Sequence, residues 1–222
     1  MGRVPLTSHI RKWVIVRAME HRFELTGGAA CLDFVNTLGD RPRSRDENLR
    51  AYPDLVAWGR QAGVLAGAEA TGLRREAARH PVRAREALAR AVALREDLYR
   101  VFSRVAAGRA PEGRGVRALN EALALALRRL RVRPGRTGFR WSWTAGPADL
   151  DRMLWPVVRS AGELLTSAER EHVRECGGEA CSWLFVDRSR TRRRRWCDMK
   201  TCGNRAKARR HYRRTKARRA SR

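Results

Sequence analysis

Apolar residues Leu88, Val92, Leu94, Leu98, Val101, Phe102 and Val105 recur every three or four positions. That spacing predicts one apolar face on a long helix over 82–107, with Gly108 as its stop. A second helix over 115–130 follows from Val116, Leu119, Leu123, Leu127 and Leu130. In "LRVRPGRTGFRWSW" the period drops from about 3.6 to 2 around a Pro-Gly step, which predicts a β-hairpin over 131–143. Helical spacing returns through Leu150, Leu154, Val157, Ala161 and Leu164, with a kink expected at Pro156. Thr166 and Glu169 have capping-box spacing for a short helix that leads into Cys176.

Upstream, "HRFELTGG" reads as a short strand ending in a Gly27-Gly28 turn, with "FEL" expected beside the 131–143 hairpin. Leu32, Phe34, Val35 and Leu38 predict a helix, and "RPRSRDENL" a polar loop. "YPDLVAWGRQAGVL" predicts a short helix with Pro53 in its first turn and Gly63 as its stop. An Ala/Arg-rich helix then ends at Pro81. No internal repeat is visible. Residues 1–19 join no periodic pattern and are expected to form a disordered extension, with Met19 rather than Met1 as the candidate initiator.

Charge changes the picture more than composition does. The 222 residues carry 49 Lys+Arg against 23 Asp+Glu, a formal net charge of +26. From Cys176 to Arg222 there are 17 basic and 3 acidic residues, so +14 of that charge sits in the last 47 residues. A field of that sign and density points to polyanionic partners. No run approaches the roughly 18 apolar residues of a membrane span, and "WVIV" is too short for a signal core. The expected location is cytoplasmic, nucleoid-associated if the partner is DNA, with no membrane partner.

The chemistry concentrates in four cysteines. Cys176 and Cys181 are separated by four residues, as are Cys197 and Cys202, with fifteen residues between the pairs. Two close pairs on a short hairpin suit a closed tetrahedral zinc site. Gly177, Gly178 and Gly203 are placed where tight turns with positive φ are expected. "SWLFVD" and "RRRRWC" alternate like two strands, and Trp183, Phe185 and Trp196 could form a miniature core. So little apolar material needs metal to fold, and the segment is expected to be unfolded without it. Disulfides, a redox pair and a catalytic zinc are the alternatives, each less well matched by compartment, spacing or nearby imidazoles. Cys31, among apolar residues, reads as a buried small hydrophobe. The expected architecture is therefore a mainly α domain with a small β-hairpin or sheet (α+β) over 20–175. A four-cysteine finger with its own hairpin and a basic terminal helix follows over 176–222, carrying one structural Zn²⁺.

The stretch from Cys181 through "SWLFVDRSR" to "RRWCDMKTCGNRAK" resembles the CGNR zinc finger, whose name matches Cys202 to Arg205. "GGAACLDFVNTL" and "DLVAWGRQAGVL" resemble the ABATE domain that accompanies it, so the likeness covers roughly 22–215. The resemblance implies zinc on Cys176, Cys181, Cys197 and Cys202, DNA binding, and a role in stress-induced transcription regulation.

Beyond the finger, Arg192, Arg193, Arg194 and Arg195 precede the third cysteine. Arg205, Arg209 and Arg213 would share one side of a terminal helix, and Lys207, Arg210 and Arg214 another, with Asn204 as its N-cap. Most of these would contact phosphate, and Arg205, nearest the metal-fixed turn, is the expected base reader. DNA is favoured over RNA because only Tyr212 looks free to stack on a base. In the first domain, Asp33 and Asn36 lie three apart on an apolar helix. They are either ligand-pocket residues or hydrogen-bond partners of the Gly27-Gly28 turn or a facing loop. That domain is expected to sense a small effector or mediate homo-oligomer assembly. No motif assembles an active site, so no enzymatic activity is expected.

Overall fold

A computed structural model describes residues 22–220. The expectations for 1–19, including the choice between Met1 and Met19, lie outside the described residues.

The predicted helices form close to their expected positions. They are α1 (Ala30–Val35), α2 (Tyr52–Gln61), α3 (Gly67–Arg79), α4 (Pro81–Ala106), α5 (Gly113–Leu127), α6 (Leu154–Thr166) and α7 (Asn204–Ala220). Helix α4 is the central post, touched by α1, α2, α3 and α5. Its buried stripe is Ala84, Ala87, Ala91, Leu94, Leu98, Val101 and Phe102. The alanines in its first half contribute little apolar area but let neighbouring backbones approach closely. Phe34 and Trp58 meet at 5.0 Å between ring centroids, both fully buried. Gly63 and Gly108 adopt φ of +71° and +67° after α2 and α4, the left-handed turn that stops a helix.

Arg95 interrupts that stripe with 1% exposure. Its guanidinium grips Glu47 through two bonds of 2.7 Å and reaches Glu96 at 3.0 Å and Thr37 at 3.2 Å. A buried charge persists when it is paired and hydrogen-bonded in this way. Burial alone would raise the Glu47 carboxyl, but the Arg95 hydrogen bonds bring it below its ordinary value. Glu47 is held in place by a two-residue ladder: β1 (Leu38–Gly39), whose Leu38 was expected on the helix that ends at Val35, pairs with β2 (Asp46–Glu47) in the expected polar loop.

Three two-stranded antiparallel sheets form among the described residues. β3 (Leu130–Gly135) pairs with β4 (Gly138–Trp143), as the period-two pattern predicts. "FEL" does not join it and forms no strand. Pro156 does not kink α6, because the helix begins at Leu154 and the proline falls in the first turn. There its missing N–H would have had no helical acceptor anyway. The Thr166/Glu169 capping box does not form either. Thr166 Oγ1 donates back to the carbonyl of Gly162, and Glu169, at the start of a 3₁₀ turn (Ala168–His172), pairs with Arg188.

The finger's hairpin is not the one the alternation suggested. β5 (Val173–Glu175) pairs with β6 (Leu184–Val186), so the strands flank the first cysteine pair, and 192–197 forms no strand. Val173, Leu184 and Val186 belong to the body's own core, so the hairpin crosses residue 175 rather than starting after it. Sequence near Val173 gives no strand signal, and burial against α4 selects the pairing.

Candidate metal centre and basic surface

The cysteine site is assembled by two local turns and one hairpin. β5 delivers Cys176, and the chain turns back through Gly177 and Gly178 so that the Cys181 N–H donates to the Gly178 carbonyl at 3.0 Å. After β6 the chain loops outward and returns to Cys197. Asp198 then accepts from the Lys200 N–H at 3.1 Å and the Thr201 hydroxyl at 3.3 Å. That cap starts a single π-turn (Met199–Gly203), which swings Cys202 back beside Cys197. Asn204 is already helical and therefore is not the expected N-cap; its amide donates to the Lys200 carbonyl.

The glycines serve space rather than backbone handedness, since none of Gly177, Gly178 and Gly203 has positive φ. A Cβ at Gly178 would stand 3.2 Å from Cys181 Cβ and 3.5 Å from Cys202 Sγ, crowding the space among the sulfurs. At Gly203 it would meet Met199 Sδ at 2.9 Å.

All four Sγ atoms lie within 4.8 Å of one another, and none is in a disulfide. Cys197 Sγ is 3.8 Å from Cys181 Sγ and 3.6 Å from Cys202 Sγ. A tetrahedral ion with Zn–S bonds of about 2.3 Å places its sulfurs about 3.8 Å apart, so the set fits zinc. Four protein sulfurs fill the tetrahedron and leave no position for a substrate or water, which makes the site structural. Thiols this close cannot all ionise alone. Hydrogen bonds from Cys181 and Cys197 hold the Cys176 thiol below its ordinary value, while the same contacts with Cys176 push Cys181 and Cys197 above theirs. A divalent cation resolves that conflict by stabilising four thiolates together.

Phe185, Trp183 and Trp196 pack against the cysteines, as expected of a small core. Asp187, which sequence reasoning passed over, organises the loop between the pairs. It is fully buried, and its two carboxylate oxygens accept from the N–H groups of Ser189 at 2.9 Å and Arg194 at 2.8 Å. Only its place midway between cysteine pairs could have marked it.

Asn36 and Asp33 both serve backbone. Asn36 donates to the Leu184 carbonyl at 2.9 Å and accepts its N–H at 2.8 Å, acting as a surrogate strand partner for β6. Asp33 accepts the Gly27 N–H at 2.8 Å, and burial pushes its carboxyl up to about 6. The two also line a hollow of about 140 Å³ with Phe23, Asn48 and Trp183. Further ties between body and finger are Val186 N–H to the Gly27 carbonyl and Arg188 to the Gly28 carbonyl, both at 2.9 Å. Cys31 is buried, and desolvation raises its thiol to about 12.

The arginines divide into two groups. Arg194 lies over the Phe185 ring at 4.5 Å and donates to the carbonyls of Trp196 and Cys197. Arg192 donates to the Asp187 carbonyl. Arg209 and Arg213 turn toward Glu179, at 3.9 and 3.3 Å. Arg205 is exposed but lines a cleft with Glu24, Asp40 and Asp46. Arg193, Arg195, Lys207, Arg210 and Arg214 are exposed and make no ion pair among the described residues; Arg195 rests on Trp196 at 5.4 Å.

Comparison with known families agrees with this geometry. The ABATE model, described as "Putative stress-induced transcription regulator", matches residues 28–168, and the CGNR zinc finger model matches 172–215. The chain belongs to the ABATE family and carries a CGNR zinc finger with four cysteine ligands for one structural Zn²⁺. No curated protein matches it. No helix among the described residues is long and apolar enough to cross a membrane.

Proposed function

We propose that this ABATE-family protein is a zinc-dependent regulator that binds duplex DNA through the finger and the helix growing from it. The observation that carries the reading is α7. It holds nine Lys and Arg and no acidic residue over 204–220, and it starts on the residue after a zinc-fixed turn. Metal in that turn orients the first turns of a helix whose charges repel one another in isolation. Phosphate contacts relieve that repulsion.

The exposed, unpaired set of Arg193, Arg195, Lys207, Arg210 and Arg214 supports a phosphate-binding role. Arg192 and Arg194 instead hold the finger loop together. Arg209 and Arg213 are available once Glu179 is displaced. Arg205 opens onto a cleft that three carboxylates also line, a field that disfavours phosphate, so base reading is assigned to the Arg210–Arg214 side of α7. The reading places the protein in the cytoplasm, with the helical body as the sensing or assembly part.

Equilibrium binding of zinc-loaded protein to duplex DNA, across a range of salt, tests this. Neutralising six to eight phosphates predicts a slope of log K against log[salt] of roughly −5 to −7. Arg210→Glu with Arg214→Glu should weaken binding and flatten the slope by about 2. An unchanged slope would exclude α7 as the interface.

A further inference from the structure

The β3–β4 ribbon leaves the body between α5 and α6, and every residue from 131 to 140 is exposed. Its register sorts the side chains. Leu130–Trp143, Val132–Trp141 and Pro134–Phe139 are opposed on one face, Arg131–Ser142 and Arg133–Arg140 on the other. The inner pair anchors the arm, with Trp143 packed on Trp155 at 5.9 Å. Farther out, Val132, Phe139 and Trp141 are 57%, 80% and 57% exposed. Three large apolar groups aligned on one face and left in water mark an interaction surface.

Charge selects the partner. Residues 128–143 contain six arginines and no acidic residue. The aromatic face itself carries a cation, because the Arg159 guanidinium lies 5.3 Å from the Trp141 ring centre while bonded to the exposed Glu163 at 2.7 Å. A second copy of this chain would bring arginine-rich ribbons together. A bilayer or an apolar protein groove would have to desolvate Arg159. A nucleic-acid strand matches both features, offering flat bases to the rings and phosphates to the guanidinium groups.

We infer that the β3–β4 arm is a second nucleic-acid contact, one that takes unpaired bases by stacking them on Phe139 and Trp141. Arg159 on that face and Arg136 at the turn hold the flanking phosphates, while Arg133 and Arg140 on the opposite face add to the attracting field. Duplex bases are already stacked on each other, so the arm favours single strands where α7 favours the duplex. The inference rests on the proposed function only for the class of partner; the surface is separate.

The test titrates zinc-loaded full-length protein with a labelled mixed-sequence single-stranded oligodeoxynucleotide, with the same sequence as duplex, and with phosphatidylcholine–phosphatidylglycerol vesicles. Three proteins are compared: wild type, Phe139→Ser with Trp141→Ser, and Arg210→Glu with Arg214→Glu. Stacking contributions per base predict that the aromatic variant loses about tenfold or more in single-strand affinity while its duplex affinity stays within about twofold. The α7 variant should lose duplex affinity first. Single-strand affinity that is absent in wild type, or unchanged in the aromatic variant, overturns the arm even where duplex binding upholds α7. Vesicle binding lost in the aromatic variant, with oligonucleotide binding intact, overturns it in favour of a membrane surface. Duplex affinity unchanged in the α7 variant removes the finger reading and leaves the arm to stand on the single-strand result.

Discussion

Two ribbons of the same topology are used in opposite ways. β5–β6 has three residues per strand and is buried along all of β6; β3–β4 has six per strand and is exposed along most of both. A two-stranded ribbon is marginal in water without a partner. β5–β6 finds partners on both sides: α4 and Asn36 from the body, and the four-cysteine site beyond its end. β3–β4 is fixed at its base, where Trp143 meets Trp155. Regular strand geometry therefore says little about what a ribbon does. The faces left uncovered decide it.

The largest break in this comparison comes from removing the metal. Cys197→Ser, or a strong chelator, should remove on the order of 10 kcal/mol of binding free energy. Ordered structure should be lost beyond Asp187, and duplex binding with it, while single-strand binding by the β3–β4 arm persists. The β5–β6 ladder should survive because Val173, Leu184 and Val186 are part of the body core. Amide hydrogen exchange of the apo protein would show protection at Leu184 and none at Cys202. Protection lost at both would mean that zinc holds the hairpin as well.

Asn36→Ala attacks the same hairpin from the body side. It strips both backbone bonds from buried Leu184 and should cost about 2–4 kcal/mol in thermal or urea unfolding. Zinc affinity should weaken too, since the metal must then organise a looser strand. Asn36→Asp should recover only the half that accepts the Leu184 N–H.

A gain is expected at Asp33. Burial raises its folded pKa from an ordinary value near 3.8 to about 6, so the fold favours the protonated acid. Its contribution is full below pH 3.8, is lost as pH rises to about 6, and is absent at pH 7. Asp33→Asn keeps an acceptor for the Gly27 N–H and removes the charge. It should raise stability at pH 7 by up to about 2–3 kcal/mol and flatten the dependence between pH 4 and 6. The smallest effect belongs to the exposed ribbon. Phe139→Ser with Trp141→Ser should cost only about 1 kcal/mol, because it removes exposed cross-strand pairs and the Arg159–Trp141 contact but nothing from the core. Trp143→Ala should cost several times more.

Legibility followed the distance over which each decision is made. The α4 stripe, the β3–β4 turn and the cysteine spacing were all readable because helix period, strand period and ligand bite are local properties. The glycines around the metal were readable as positions but not as reasons; they make room for sulfur and thioether atoms rather than for positive φ. Glu169 had capping spacing, yet the guanidinium of Arg188, nineteen residues on, forms two bonds to it.

Sequence alone determined the helical body, the four ligands, the charge gradient toward the C-terminus and the family. Each of these follows from residue identity and short spacing. Tertiary structure alone decided that β6 pairs with β5 and not with 192–197, and that Asn36 reaches Leu184 across 148 positions. It also decided that Arg192 and Arg194 serve the loop, while Phe139 and Trp141 stay in water. The physical reason is common to all of them. Whether a polar group is bonded, or an apolar one covered, depends on which distant surface arrives beside it, and no window of sequence contains that surface.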